Sequence, residues 1–113
     1  MKGSNLGEFE ELLLLTIVIL QDDAYILRVQ EELKRLANRN TVMGALHTTL
    51  TRLEKKEFLK SELKGATKER GGRRKRVYEL TAAGKAALRA ARQLRESMYE
   101  QIPDYALKMQ YVR

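Results

Sequence analysis

Thr41-Val42-Met43-Gly44-Ala45-Leu46-His47-Thr48-Thr49-Leu50-Thr51-Arg52-Leu53-Glu54-Lys55-Lys56 is the stretch on which the fold turns. Val42, Leu46, Leu50 and Leu53 recur at helical spacing, which at about 100° per residue gathers them on one side of a helix capped by Thr41 and running to about Lys56. The opposite side carries Thr41, Gly44, His47, Thr48, Thr51, Arg52 and Lys55, all small, polar or basic, with no acid at its centre. An ordinary solvent-facing helix mixes Glu with Lys. A face of hydroxyls, one imidazole and cations has instead the character of a surface that enters a groove walled by phosphates. Thr49 flanks the leucine side and is expected to be structural.

Upstream, the polar turn Ala37-Asn38-Arg39-Asn40 separates this helix from another, in which Ile26, Val29, Leu33, Leu36 and Ala37 follow the 3.6 period. Asp22 and Asp23 are expected to cap that helix, with Arg28, Glu31, Glu32, Lys34 and Arg35 on its solvated side. Before it, Phe9, Leu12, Leu13, Thr16, Ile17 and Leu20 are interleaved with further apolar residues, which predicts a first helix buried on most sides.

Downstream, Phe58 to Leu63 and Lys75 to Leu80 alternate as two short strands. The Gly-interrupted basic loop between them, Lys64 to Arg74, turns the chain back on itself. Thr81 caps a last helix in which Ala87, Ala91, Leu94 and Met98 form a coiled-coil-like seam. Pro103 should break that helix, yet Ile102, Tyr105, Met109 and Val112 continue the apolar stripe. So small a domain has little left inside for such a stripe to cover, so it is read as facing a second copy of the chain, with intrachain packing as the alternative. The fold class is therefore mainly α with a small β-hairpin, a winged helix-turn-helix with a C-terminal dimerisation helix. Residues 1–80 form the DNA-binding unit, and residues 81–113 a dimerisation helix packed into the same compact body.

The chain's 113 residues suit one domain, and its 43% hydrophobic content is enough for a packed interior. The formal charge of +7 is not spread evenly. The segment Arg52 to Arg76 holds eleven Lys/Arg against four Glu, so the whole excess lies there and the remainder is neutral. Clustered cations point to a polyanion, and Arg73, Arg74, Lys75 and Arg76 are the strongest candidates for contact with it. Lys68 and Arg70 are expected to make only transient phosphate contacts. The longest apolar run, Leu12 to Leu20, is too short to cross a membrane, which needs about 20 residues, and no export signal is recognisable at the N-terminus. A cytoplasmic location is expected. With no Cys and one His, neither a thiol nucleophile nor a metal site is expected, and no cofactor or enzymatic function either.

Three segments carry a family resemblance: Leu6-Gly7-Glu8-Phe9-Glu10-Glu11-Leu12, Gly44 through Glu54, and Gly72-Arg73-Arg74-Lys75-Arg76-Val77-Tyr78-Glu79-Leu80-Thr81-Ala82-Ala83-Gly84. In order and at these separations, they make the chain resemble the PadR family of winged-helix transcriptional regulators, over about Leu6 to Ala90. The resemblance implies a homodimer that reads an inverted repeat in double-stranded DNA, usually as a repressor. The third helix would sit in the major groove and the wing on the backbone, and a small-molecule effector would be taken up in a cleft beside the first and last helices. The chain departs from the family pattern at His47, where Tyr is common, and at Ile26 and Glu57, where Gly is often found.

Several side chains admit two readings. Gly44 allows either close approach to DNA or tight packing near a helix start. Arg52 and Lys55 serve phosphate or pair with Glu8, Glu54 or Glu57, and His47 is a DNA contact or merely an exposed polar residue. Thr48 and Thr51 favour the groove. Tyr25, Tyr78 and Phe58 are core aromatics, with Tyr25 also a candidate for an effector pocket. The competing function is a winged-helix protein-interaction module whose wing meets an acidic partner. RNA binding is weaker for want of exposed stacking aromatics.

Overall fold

A computed structural model describes residues 6–65 and 74–108. The chain forms α1 (Glu8–Leu20), a 3-10 turn (Gln21–Asp23), α2 (Ile26–Ala37), α3 (Met43–Lys55), β1 (Leu59–Lys64), β2 (Lys75–Leu80) and α4 (Ala82–Glu100). The two strands pair antiparallel, from Leu59 opposite Leu80 out to Lys64 opposite Lys75. This is the expected winged helix-turn-helix order.

α1 opens with Glu8, Glu10 and Glu11 in its first turn, where negative charge suits the helix dipole, and Gly7 N–H donates to Glu10 Oε1 at 2.9 Å. Leu13, Leu14 and Ile17 enter the core beside Val29 and Leu33 of α2 and Leu46, Leu50 and Leu53 of α3, all of them fully buried or nearly so. Leu15, Val18 and Ile19 are exposed, so α1 is not enclosed on most sides. The chain's other elements cover one flank of this helix and leave the second flank open.

The start of α2 also departs from expectation. Asp22 and Asp23 are taken up in the 3-10 turn, and the N-cap is Tyr25, in extended conformation without a side-chain cap bond. The cause lies in the sheet. Tyr78 N–H donates to the carbonyl of buried Ala24 at 2.9 Å, and Tyr25 bridges Val77, so this segment runs beside β2 as a partial third strand. That contact helps explain why Val77, which alternation assigns to the solvent side, is buried along with Tyr78 and Leu80. On α2, Glu32 is only 6% exposed instead of solvated, held by a two-pronged bond from Arg35 and by Arg28 at 3.7 Å. Burial opposes ionisation of Glu32, but the Arg35 hydrogen bonds, the largest influence, hold its carboxyl below the usual range. Leu36, expected inside, is exposed. α2 ends at Asn38 in the left-handed region (φ 54°), which Asn tolerates better than most residues.

α3 begins at Met43 with Val42 as N-cap, one residue later than expected. Thr41 sits ahead of the cap, its carbonyl accepting a 2.7 Å bond from Gln30 Nε2. Val42, placed by periodicity on the leucine side, is 73% exposed, because the extended cap geometry takes it off the helical cylinder. Thr49 is buried, its hydroxyl donating to the Ala45 carbonyl.

Between α3 and β1, Glu57 adopts φ 65°, where the family pattern favours Gly. The turn is clamped by α4. Thr81 Oγ1 donates to the Glu57 carbonyl at 2.6 Å and accepts from Gly84 N–H at 3.0 Å, and Thr81 N–H donates to the Phe58 carbonyl at 3.0 Å. Gly84 makes this possible, since a Cβ there would lie 2.1 Å from Phe58 O. Ala87 follows into the core at 4% exposure, so the first residue of the expected dimer seam packs within its own chain. From Arg92 to Glu100 every residue of α4 is exposed, and the helix stops ahead of Pro103.

Candidate nucleic-acid interface

α3 is fixed from beneath by Leu46, Leu50 and Leu53, which leaves the other side free by construction. Gly44, His47, Thr48, Thr51, Arg52 and Lys55 are all exposed, and all but Gly44 line one shallow open surface. Nothing lies within 4 Å of a Cβ built on Gly44, so the tight-packing reading of this glycine fails within the chain. The nearest acid in sequence, Glu54, is turned away and accepts from Ser61 Oγ at 2.7 Å. The face is thus free of negative charge, as a phosphate-lined groove requires.

His47 is the junction of the site. It lines the α3 surface and also a second hollow with Tyr25, Ile26, Leu27, Lys75, Arg76 and Tyr78. α3, the start of α2 and the wing strand therefore meet around one imidazole. Lys75 Nζ lies 4.5 Å from the centre of the Tyr25 ring, within cation–π range, which holds the ammonium at the mouth of this hollow. Arg76 Nη1 donates to Ser61 Oγ at 3.0 Å, so a relay Arg76–Ser61–Glu54 ties the wing to α3. Arg74 is exposed at the base of the basic loop. Arg73, Lys68 and Arg70 lie outside the described residues.

The helix's cations divide. Arg52 is braced by Glu10, at 3.8 Å, and not by Glu8, Glu54 or Glu57. Lys56 holds the same carboxylate at 2.9 Å, and Glu8 pairs with Arg39. Burial opposes ionisation of Glu10, but hydrogen bonds from Lys56 and Gly7 and the charges of Lys56 and Arg52 hold its carboxyl below the usual range. Arg52 nevertheless keeps half of its side chain in solvent. Among the described residues Lys55 has no acidic partner within salt-bridge distance.

The Tyr25–Lys75 contact and the Glu10 brace are not apparent in the sequence, because both join residues far apart in it. The extended entry to α2 that makes the first of them leaves no local signature. Among the described residues no group of three or more His, Asp or Glu is placed to hold a metal, and no helix is long and apolar enough to cross a membrane.

A PadR-like transcription factor from Bacteroides fragilis is similar in structure, with a TM-score of 0.65 and 26% identity, covering 81% of this chain and 84% of that one. A PadR family transcription regulator from hypervirulent Clostridium difficile is similar at TM-score 0.65 and 25% identity, with 81% and 92% covered. The Aeropyrum pernix ORC1 protein, solved in complex with DNA, shares the fold at TM-score 0.60 and 21% identity over 84% of this chain and 27% of its own. No curated protein matches the chain. The profile of the transcriptional regulator PadR-like family matches residues 14–90, from the buried side of α1 to the middle of α4. With the winged-helix DNA-binding fold around His47, this match establishes that the chain belongs to the PadR-like family of transcriptional regulators.

Proposed function

We propose that the chain is a homodimeric repressor that binds an inverted repeat in double-stranded DNA, with α3 in the major groove and the hairpin on the phosphate backbone. The observation that carries this reading is the acid-free face of α3, joined through His47 to the cationic base of the wing. Thr48, Thr51 and His47 are base-reading candidates. Arg52, Lys55, Arg74, Lys75 and Arg76 are backbone-neutralising ones, with Arg73 beside them in sequence. The DNA complex of the similarly folded Aeropyrum pernix protein is consistent with this use of the fold. Selection from random duplexes tests the reading. Enrichment of a palindrome bound at nanomolar dimer in a salt-dependent way supports it, whereas salt-sensitive capture of an acidic protein with no enriched duplex favours the interaction-module alternative.

The dimer is placed on the outer half of α4. Leu94 and Met98 are 62% and 63% exposed, and Ala91 is half-buried beside them. Ile102 is half-buried and Tyr105 exposed beyond the helix end, extending the candidate seam, while Ala87, packed in its own chain's core, drops out of it. The unit 81–113 is accordingly the dimerisation element and 1–80 the DNA-binding one. A groove of about 560 Å³ between α1 and α4, floored by Leu15, Val18 and Leu88, is the place for a small-molecule effector that releases DNA. Sedimentation of the purified chain tests the dimer, and a single-chain species at micromolar concentration overturns it. A cytoplasmic location follows from the role in transcription.

A further inference from the structure

We infer that the first turn of α3 recognises thymine by its 5-methyl group, with Val42 and Ala45 as the reading side chains. The inference rests on the DNA-binding reading above and names a base that reading leaves open.

Two local rules are broken at Val42. It occupies the N-cap, where Ser, Thr, Asp or Asn would accept a hydrogen bond from the helix, and it makes no such bond. It is also an aliphatic side chain left 73% in solvent although it adjoins a helix with three fully buried leucines. A residue that forgoes both cap and core marks a position whose gain lies outside the free chain. Ala45, three residues on, is exposed as well, and Gly44 between them leaves open space. From Ala45, Thr48 and Arg52 follow at spacings of three and four, which are neighbours on a helix surface, and Val42 stands just ahead of this row at the extended cap. The apolar turn is therefore the N-terminal end of the row that carries a hydroxyl and a guanidinium further along.

Helices of this class meet base edges with their N-terminal residues. In the major groove the thymine methyl is the one apolar group among hydrogen-bonding edges, and side chains such as Ala or the Thr methyl are its usual contacts. Two small apolar side chains around a bare glycine match a methyl in size, and they offer far less than the buried aromatic anchors on which protein partners depend.

The test uses the full-length protein and the duplex recovered by selection, with each dT replaced in turn by dU, which removes the methyl and keeps the pairing edge. Wild type should bind about three- to tenfold more weakly at one or two positions in each half-site, the loss expected for one or two buried methyl contacts. Val42→Ser and Ala45→Ser should be indifferent to the same replacement. Val42→Ser should also melt a few degrees higher than wild type, because serine supplies the missing cap, and this separates loss of reading from loss of fold. Indifference of wild type to every replacement, or undiminished sensitivity in both variants, overturns the inference while DNA binding stands. Failure to enrich any duplex overturns the DNA-binding reading itself and the inference with it.

Discussion

Replacing Gly84 by Ala sets two effects of opposite sign against each other. Ala is the better helix former by about 1 kcal/mol, so helix propensity alone predicts stabilisation. The structure predicts the reverse. The added Cβ would stand 2.1 Å from Phe58 O and 3.0 Å from Phe58 C, whereas a carbon–oxygen contact needs about 3.3 Å, so the start of α4 must retreat by about 1 Å. That retreat lengthens the Thr81 N–H to Phe58 bond, now 3.0 Å, and the Thr81 to Glu57 bond, now 2.6 Å, and lifts Ala87 from the core. Two weakened hydrogen bonds are worth about 1 kcal/mol each and overpacking about 1–3 kcal/mol, so the net loss is about 2–4 kcal/mol after the propensity gain. At about 4 °C per kcal/mol for a chain of this size, Gly84→Ala should melt about 10 °C below wild type by circular dichroism. Ala86→Gly, at an exposed position of the same helix, calibrates propensity alone and should cost about 1 kcal/mol. A Gly84→Ala protein as stable as wild type, or more so, refutes the close-packing argument.

Glu57→Gly should stabilise the chain by about 0.5–1 kcal/mol in urea denaturation, since it relieves a side chain held at φ 65°. Glu10→Gln should cost about 1 kcal/mol near pH 7 through loss of the Lys56 and Arg52 pairing. Because the folded protein holds this carboxyl below its unfolded value, the contribution is present above the unfolded pKa and disappears as pH falls through the folded one. The stability difference between wild type and Glu10→Gln should therefore narrow from pH 7 to pH 3, and a constant difference would count against the ionic brace. Arg74→Ala should weaken binding to all duplexes alike and reduce the slope of log K against log salt by about one, while Thr48→Ala should change the preferred sequence instead. Met98→Glu should shift the sedimenting species from dimer to single chain without lowering helix content, since Met98 makes no core contact.

The elements themselves were legible because their periods are clean. The four-residue beat of Leu46 and Leu50 gives α3, and the alternation around Leu59 and Leu80 gives the hairpin. What escaped was decided by contacts across the chain. The Asp22 and Asp23 caps yield to Tyr25 because Ala24 is hydrogen-bonded to β2, and Glu32 looks solvated by composition but is enclosed by two arginines. Ala87 and Ala91 are indistinguishable on a helical wheel, yet the Gly84 docking draws the first into the core and leaves the second at its margin. On α3 the exposed polar residues were identifiable from the leucines opposite them. The wing's link to that helix was not, because it runs through the Tyr25 ring ahead of α2 and through Ser61 on the facing wing strand.

The hairpin is built in two parts, and this sets which properties of the protein can vary independently. Near Leu59, Val77, Tyr78 and Leu80 the strands are interior structure, steadied by the neighbouring Ala24–Tyr25 segment. Further out, Leu63, Lys64 and Arg76 lie at the surface, with Lys64 and Lys75 facing each other on the last rung. The outer rungs face solvent and weigh little on the core, whereas a change at Leu59, Val77, Tyr78 or Leu80 is first a change in stability. Attraction for a polyanion and integrity of the domain are thus governed by different residues of the same twelve-residue ladder, so related chains can drift in how tightly they hold their target without risking collapse of the body that carries it.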